Sequence, residues 1–375
     1  MSRDNRDRDW IEEQREQIGG KFNNETDPLE KYVNNFESLD VDPLQLYVHD
    51  VVESRGLSRS RINDFKRVYS QFRDFMEGRR PPACPTPWQI RQFAAHQKEK
   101  RGKKAQQVKA DLWMLNNAYE YWQSQPEFPH PPDYNPIDNA LEKIPFTDYS
   151  SEESDKEVRI LPHEDLRQRV QKINHIRDQA IVGTQLKIGA RVGEITEMRL
   201  CDINIQHSQL RDHYSELGTH PRLDFENAII IPDKHERDGN KSSNYRILPI
   251  DDELRKLLIK YLLIRPDNDE SYVFLSQERN ARLWPKRINE MWKDAFHPEY
   301  AETENHKPVT SHYGRHYFTN YWRVKQEVDR VLVQYMRGDE LTDDEDEKEG
   351  IDHYLHAKYP DIEELYRKNI YKFGI

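Results

Sequence analysis

Apolar residues recur at helical spacing along most of the 375-residue chain. Ile62, Phe65, Val68, Tyr69, Phe72 and Met76 follow an i, i+3, i+4, i+7 pattern behind Leu57-Ser58, which predicts an amphipathic helix. The stretch PPACPTP at 81–87 breaks that pattern. Thr86-Pro87 then opens a second helix through Ile90, Phe93 and Ala94, with proline in the first turn where its missing N–H costs nothing. Residues 103–124 predict a third helix, with Val108, Leu112, Leu115 and Tyr119 on one stripe, and the proline-rich stretch 126–136 ends it. Trp10–Ile18 carries a weaker helical signal before Gly19-Gly20.

The pattern changes after 146. PFTDYSSEESDKE has no apolar period and reads as a linker. Beyond Ile160-Leu161-Pro162 a helix is expected around the apolar stretch Ala180–Leu186. AIIIP (228–232) and YRILPI (245–250) are short β-rich runs, and Asp238-Gly239-Asn240 between them predicts a hairpin with a long tip. Residues 252–375 return to helical spacing. The expected fold is mainly α with a small β-sheet in the second domain. Its expected parts are an acidic tail or arm (1–40), a helical domain (41–145), a linker (146–159) and a second domain (160–375).

The chain is 33% charged and 35% hydrophobic, and carries a net charge of −11. That average hides a segregation. Residues 1–50 hold 6 Lys/Arg against 13 Asp/Glu, residues 51–110 hold 15 against 5, and residues 331–375 hold 6 against 12. A basic block between acidic ends is a candidate phosphate-binding footprint, and Arg59, Arg61, Lys103, Lys104 and Lys109 are its candidate DNA contacts. Trp113, Trp122 and Trp292 are read as core residues. No apolar run approaches the length of a membrane span, and MSRDNRDRDWIEEQREQ lacks a signal-peptide core. Cys84 and Cys201 are the two cysteines, too few for a disulfide framework or a cysteine-based zinc site.

Three segments carry chemistry. Gly189-Ala190-Arg191-Val192-Gly193-Glu194-Ile195 sets an arginine at a helix junction with Glu194 placed to hold it, and Asp202 follows as a second supporting carboxylate. Ser311-His312-Tyr313-Gly314-Arg315-His316 puts His312 and Arg315 on one helix face. Asp352-His353-Tyr354-Leu355-His356 follows an acidic run at 343–349, which reads as a solvated loop or as a phosphate mimic in a basic cleft. Two guanidiniums can grip the non-bridging oxygens of one phosphate. A tyrosine hydroxyl can attack phosphorus to leave a covalent phosphotyrosine, and nearby positive charge lowers its ordinary pKa of about 10.

Arg191 in A-R-x-x-E-I, then H-x-x-R-H, then Tyr354 in Y-x-H, resembles the tyrosine recombinase (phage integrase) family. Residues 41–140, down to Asn135-Pro136, are similar to its helical core-binding domain, and 160–375 to its catalytic domain. The arginine-rich, acidic balance adds a resemblance to haloarchaeal integrases of mobile elements. The family implies site-specific cleavage and rejoining of double-stranded DNA through a 3′-phosphotyrosyl intermediate, without metal or other cofactor, by a tetramer on DNA inside the cell at the nucleoid. It implies Arg191, Arg315, His312 and Tyr354 as catalytic residues, and a hairpin lysine as general acid. Lys234 at the strand end matches best, with Lys241 as the alternative.

This sequence departs from the family's pattern at Met336-Arg337-Gly338-Asp339, where Asp339 stands in place of a hydrogen-bond donor. An ionised carboxylate can only accept, from Tyr354 or Arg315, which leaves the donor role to His353 or His356. Tyr359 competes with Tyr354 as nucleophile, whereas Tyr366 and Tyr371 share a helical stripe with Ile362, Leu365, Ile370 and Phe373 and read as packing residues. Two rival readings accompany the recombinase: a type IB topoisomerase-like enzyme and a non-catalytic DNA-binding regulator.

Overall fold

The computed structural model describes residues 14, 21, 27–57, 59–146, 156–339 and 358–375. The helical signal at Trp10–Ile18 apart from Gln14, the acidic run 343–349 and Tyr354 with its flanking His353 and His356 lie outside the described residues. The chain divides into two units, Met1–Ser154 and Asp155–Ile375.

The first unit is helical. Its main helices are α1 (Arg59–Met76), α2 (Pro87–Glu99) and α3 (Ala105–Ser124), followed by the short α4 (Pro136–Leu141). The apolar stripe of α1 buries Phe65, Val68, Tyr69, Phe72 and Met76. Helix α2 starts as its sequence predicts: the Thr86 hydroxyl accepts from Gln89 N, Gln89 answers at Thr86 N, and Pro87 occupies the first turn. Asn135 caps α4 through Ile137 N. Tyr69 and Tyr119 bury their rings and donate to the carbonyls of Met114 and Pro82, so both hydroxyls are satisfied within this core.

Two expectations are corrected here. Residues 27–40 are not wholly an acidic tail, because Leu29 is buried in the core and Arg80 pairs with both Asp27 and Glu30. Trp113 is not a core residue: it is 49% exposed, with the Arg61 guanidinium 5.2 Å from its ring centre. The stripe of α3 turns Val108, Leu112 and Leu115 inward, and Trp113 falls on the opposite face. Trp122 and Trp292 are buried as expected.

The second unit takes up the chain before residue 160. Glu157 bridges His306, donating from its N to Asn305 O at 2.9 Å and accepting from Lys307 N, so residues 156–159 are held by this unit instead of belonging to a linker. The apolar region after Pro162 forms two helices, α5 (His163–Gln171) and α6 (Ile176–Ile188). Then come α7 (Val192–Glu197), strand β1 (Ile203–Asn204), α8 (Ser208–His213), β2 (Ala228–Ile231), β3 (Arg246–Pro249), α9 (Asp252–Leu262), α10 (Pro285–Phe296), α11 (Ser311–Asn320), α12 (Arg330–Arg337) and α13 (Tyr359–Asn369). The hairpin pairs β2 with β3 in antiparallel register, Ile231 opposite Arg246. Strand β1 adds a third, edge position that two residues of sequence did not signal. Among the described residues no helix is long and apolar enough to cross a membrane.

Helix α6 runs through the centre of this unit and carries an ionic anchor. Lys187 is fully buried, with Nζ 2.8 Å from Asp251 Oδ2 and 2.7 Å from Glu253 Oε2, and it also donates to Tyr371 O. Glu253 accepts in turn from the backbone N–H groups of Phe373, Gly374 and Ile375. Tyr366 and Tyr371 donate to the carbonyls of Lys187 and Leu186, which makes both packing residues, as the stripe predicts. The last residues of the chain are therefore bolted to the helix that ends at the candidate site.

Lys187→Met should destabilise this unit by roughly 3–5 kcal/mol, since it leaves the buried Glu253 without its cation and Asp251 with Lys372 alone. Burial raises the pKa values of Asp251 and Glu253, but Lys187 outweighs it and holds both below the ordinary carboxylate range. Their contribution is present above the unfolded value near 4 and is lost as pH falls through the lower folded values. Chemical denaturation from pH 7 to 3 should show the wild type losing more stability than Lys187→Met; parallel curves would contradict the anchor.

Candidate active site

Four parts of the second unit converge at one point. Helix α6 ends at Gly189, and the chain turns so that Arg191 becomes the residue before α7. Glu194, one turn into α7, accepts from Arg191 N at 2.8 Å and from Arg191 Nη1 at 3.2 Å. This is the capping arrangement that the A-R-x-x-E spacing allows. From the hairpin tip the Ser242 hydroxyl accepts from Arg191 Nη1 at 3.0 Å. From β3 the wholly buried Arg246 reaches Glu194 with Nη2 at 2.7 Å and donates Nε to Met336 O at 3.0 Å. Burial raises the pKa of Glu194, and Arg246 and Arg191 more than offset it, so its carboxyl lies below the ordinary range and stays ionised.

Arg315 comes from the middle of α11 and is 3% exposed. Its Nη1 donates to Gly189 O at 3.1 Å and Arg337 O at 2.7 Å, and Nη2 donates to Asp339 Oδ1. Asp339 Oδ1 also accepts from Arg191 Nη2 at 2.7 Å, and Asp339 Oδ2 lies 2.8 Å from Arg337 Nε. Arg191, Arg315 and Arg337 thus surround one carboxylate. Burial and then Arg191 push the Arg315 guanidinium down to about 9, which still leaves it charged at neutral pH. Gly338 makes the geometry possible. Its φ of +63° ends α12 in the left-handed region, and a Cβ there would stand 2.5 Å from Arg246 Nη1.

His312 sits one turn before Arg315 on α11, exposed at the rim of the cluster. Burial lowers its pKa, and Arg315, Arg337 and Arg191 lower it further. His316 packs edge-to-face on it at 4.4 Å and is pushed down to about 4, first by burial and then by His312. Both imidazoles are neutral at pH 7.

The hairpin is pinned at two places, one just before β1 and one on α7. Arg237 Nη2 donates to Asp202 at 3.0 and 3.2 Å. A Cβ on Gly193 would stand 2.5 Å from Gly239 O, so only glycine lets the tip approach this closely. Lys234 N donates to Ser242 O, and Lys234 Nζ to the Ser243 hydroxyl at 2.8 Å. Lys241 is exposed, one residue before Ser242. Lys234 is therefore held beside the serine that touches Arg191, and Lys241 is its neighbour in sequence.

Tyr359 is not near this cluster. It is buried in a small core beside the sheet, stacked on Phe225 at 4.0 Å, with its hydroxyl donating to Glu363 and burial pushing its pKa up to about 12. That packing takes away the accessibility a nucleophile requires. In the first unit Lys103 is tied to Asp111 and Gln71, which removes it from the simple DNA-contact surface expected of it. Lys109 lies 4.7 Å from the Phe146 ring centre. Arg59 begins α1, and Lys104 precedes α3. Sequence reasoning missed Arg246 and Arg337. An arginine inside the apolar run YRILPI was the available sign for Arg246, since a charge in a buried strand needs a buried partner. Among the described residues no group of three or more His, Cys, Asp or Glu could hold a metal ion.

His312 should titrate below 6.5 in the free protein and shift upward when a phosphate-like anion enters the cluster. Arg315→Gln should raise it as well. Imidazole NMR titration with and without inorganic vanadate would show this, and an unmoved His312 would contradict the electrostatic assignment.

Residues 159–340 match the model of the phage integrase family. No curated protein matches the chain. Among solved structures the chain is similar to the Tn1549 transposon integrase in complex with a circular intermediate DNA (TM-score 0.59, 15% identity, 88% of this chain and 100% of that chain). It is also similar to a lambda integrase tetramer bound to a Holliday junction (TM-score 0.60, 15% identity, 92% and 89%) and to a lambda integrase dimer bound to a COC′ core site (TM-score 0.57, 15% identity, 80% and 91%). At these identities the likeness shows the shared fold. Together with the family match it identifies residues 159–340 as a phage integrase (tyrosine recombinase) family domain.

Proposed function

We propose that the protein is a site-specific DNA recombinase that cuts and rejoins double-stranded DNA through a 3′-phosphotyrosyl bond. The observation that carries the reading is the meeting of Arg191 and Arg315 on a single oxygen of Asp339. Two guanidiniums aimed at one anion are what a scissile phosphate requires. In the proposed reaction the Tyr354 oxygen attacks phosphorus and the P–O5′ bond breaks. Lys234, or Lys241 from the same hairpin, gives its proton to the departing 5′ oxygen. The phenolic proton passes to neutral His312. The phosphotyrosyl link keeps the energy of the broken ester, so a 5′-hydroxyl can reverse the step without ATP.

The helical first unit supplies the remaining duplex contacts, with Arg59, Arg61, Lys104 and Lys109 as candidates. Binding weakens with salt, as phosphate contacts demand. Exchange between two duplexes calls for four copies on a junction, and the cell's own DNA compartment is the place of action. The non-catalytic regulator remains the second reading because Asp339 already fills the anion position.

Nicked duplexes randomised in sequence and captured by denaturing recovery of protein-linked DNA test the proposal. Wild type should yield adducts mapping to the Tyr354 peptide, and Tyr354→Phe should yield none. Arg191→Ala and Arg315→Ala should each lower single-turnover cleavage by about 10²–10³ while retaining duplex binding. Wild type that binds duplex but forms no adduct would overturn the enzyme and leave the regulator, whereas adducts that never resolve into exchanged junctions would favour a topoisomerase-like reaction.

A further inference from the structure

Arg337 has no assigned role, yet it is built into the same anion site. It is the last residue of α12, and Gly338 reverses the backbone immediately after it. Its carbonyl accepts from Arg315 Nη1 at 2.7 Å, and the carbonyl before it, of Met336, accepts from Arg246 Nε at 3.0 Å. Two buried guanidiniums thus fix the backbone from which Arg337 projects. Its side chain is only partly exposed, and its Nε lies 2.8 Å from Asp339 Oδ2, on the carboxylate edge opposite the oxygen shared by Arg191 and Arg315.

Charge counting gives this placement a meaning. The cluster holds four guanidiniums, Arg191, Arg246, Arg315 and Arg337, and two carboxylates, Glu194 and Asp339. Glu194 is shared by Arg246 and Arg191 in the interior. Four cations against two carboxylates leave an excess of two positive charges, and a phosphoryl transition state, which gathers more negative charge on its equatorial oxygens than a carboxylate carries, offsets more of it. Arg191, Arg315 and Arg337 each depress His312, so all lie within electrostatic reach of one side chain.

Resting on the recombinase reading, we propose that Arg337 is a third phosphate-contacting catalytic residue, and that the Asp339 carboxylate holds the phosphate position until DNA displaces it. An arginine then supplies, from the residue before the glycine, the hydrogen-bond donor that Asp339 cannot supply from the residue after it.

The test uses the full chain and a duplex recovered by covalent capture with wild type, resynthesised with a methylphosphonate at the mapped cleavage position. Replacing a non-bridging oxygen by methyl removes the charge that Arg337 is proposed to neutralise. Arg337→Gln should lower cleavage of the ordinary duplex by about a hundredfold or more, and cleavage of the methylphosphonate duplex by tenfold or less relative to wild type. Arg337→Lys should retain more activity than Arg337→Gln. In an Asp339→Asn background, Arg337→Gln should still impair cleavage, because its target is the phosphate and not Asp339. Equal losses on both duplexes, no loss on the ordinary duplex, or a loss abolished by Asp339→Asn would overturn the assignment. Wild-type adducts absent from Tyr354→Phe establish the underlying reading separately from all of these outcomes.

Discussion

Guanidiniums gathered around one point repel each other, and the site exists because carboxylates hold them there. At a separation of 4 Å and the effective dielectric of a protein surface, a pair of like charges costs about 4 kcal/mol. Arg191, Arg246, Arg315 and Arg337 meet that cost through two acids of different kinds. Glu194 is buried and bonded to both Arg191 and Arg246, a fixed counterion that belongs to the fold. Asp339 is partly exposed and receives Arg191, Arg315 and Arg337. One anion builds the scaffold, and the other occupies the place proposed above for a phosphate.

The fold exists in large part to deliver these groups from distant stretches of chain. Helix α6 ends where Arg191 begins, and its Lys187 is bolted to Asp251, Glu253 and the final residues. Helix α11 carries both His312 and Arg315, and Arg315 is steadied by the carbonyls of Gly189 and Arg337. The hairpin brings Ser242 and its neighbouring lysines to α7, held by Arg237 on Asp202 and by the close approach at Gly193. These attachments tie the elements together at several points, which suits a site that must keep several like charges in register.

Much of this was legible in the sequence. The helices of the first unit follow from their periodicity, the proline at 87 and the Thr86 cap, all of which are local signals. The hairpin was legible from two β-rich runs around Asp238-Gly239-Asn240. Arg191, Glu194 and Arg315 were legible from spacing, and the structure joins them. What escaped depended on tertiary partners. The pairing of two-residue β1, the Arg80 ties that pack residues 27–40, the outward face of Trp113 and the capture of Lys103 by Asp111 are all decided by residues far along the chain. Asp339 looked like a departure from the family's pattern, and only its surroundings show that it is the anion that the arginines share.

The central claim is that Arg191 and Arg315 act on one anion as a unit, and a double-mutant cycle on single-turnover DNA cleavage measures that most directly. Residues that grip the same phosphate lose their effect together, so the account predicts that Arg191→Ala combined with Arg315→Ala is scarcely slower than either single variant. Losses that simply multiply would mean that the two guanidiniums act at independent places, and would contradict the account.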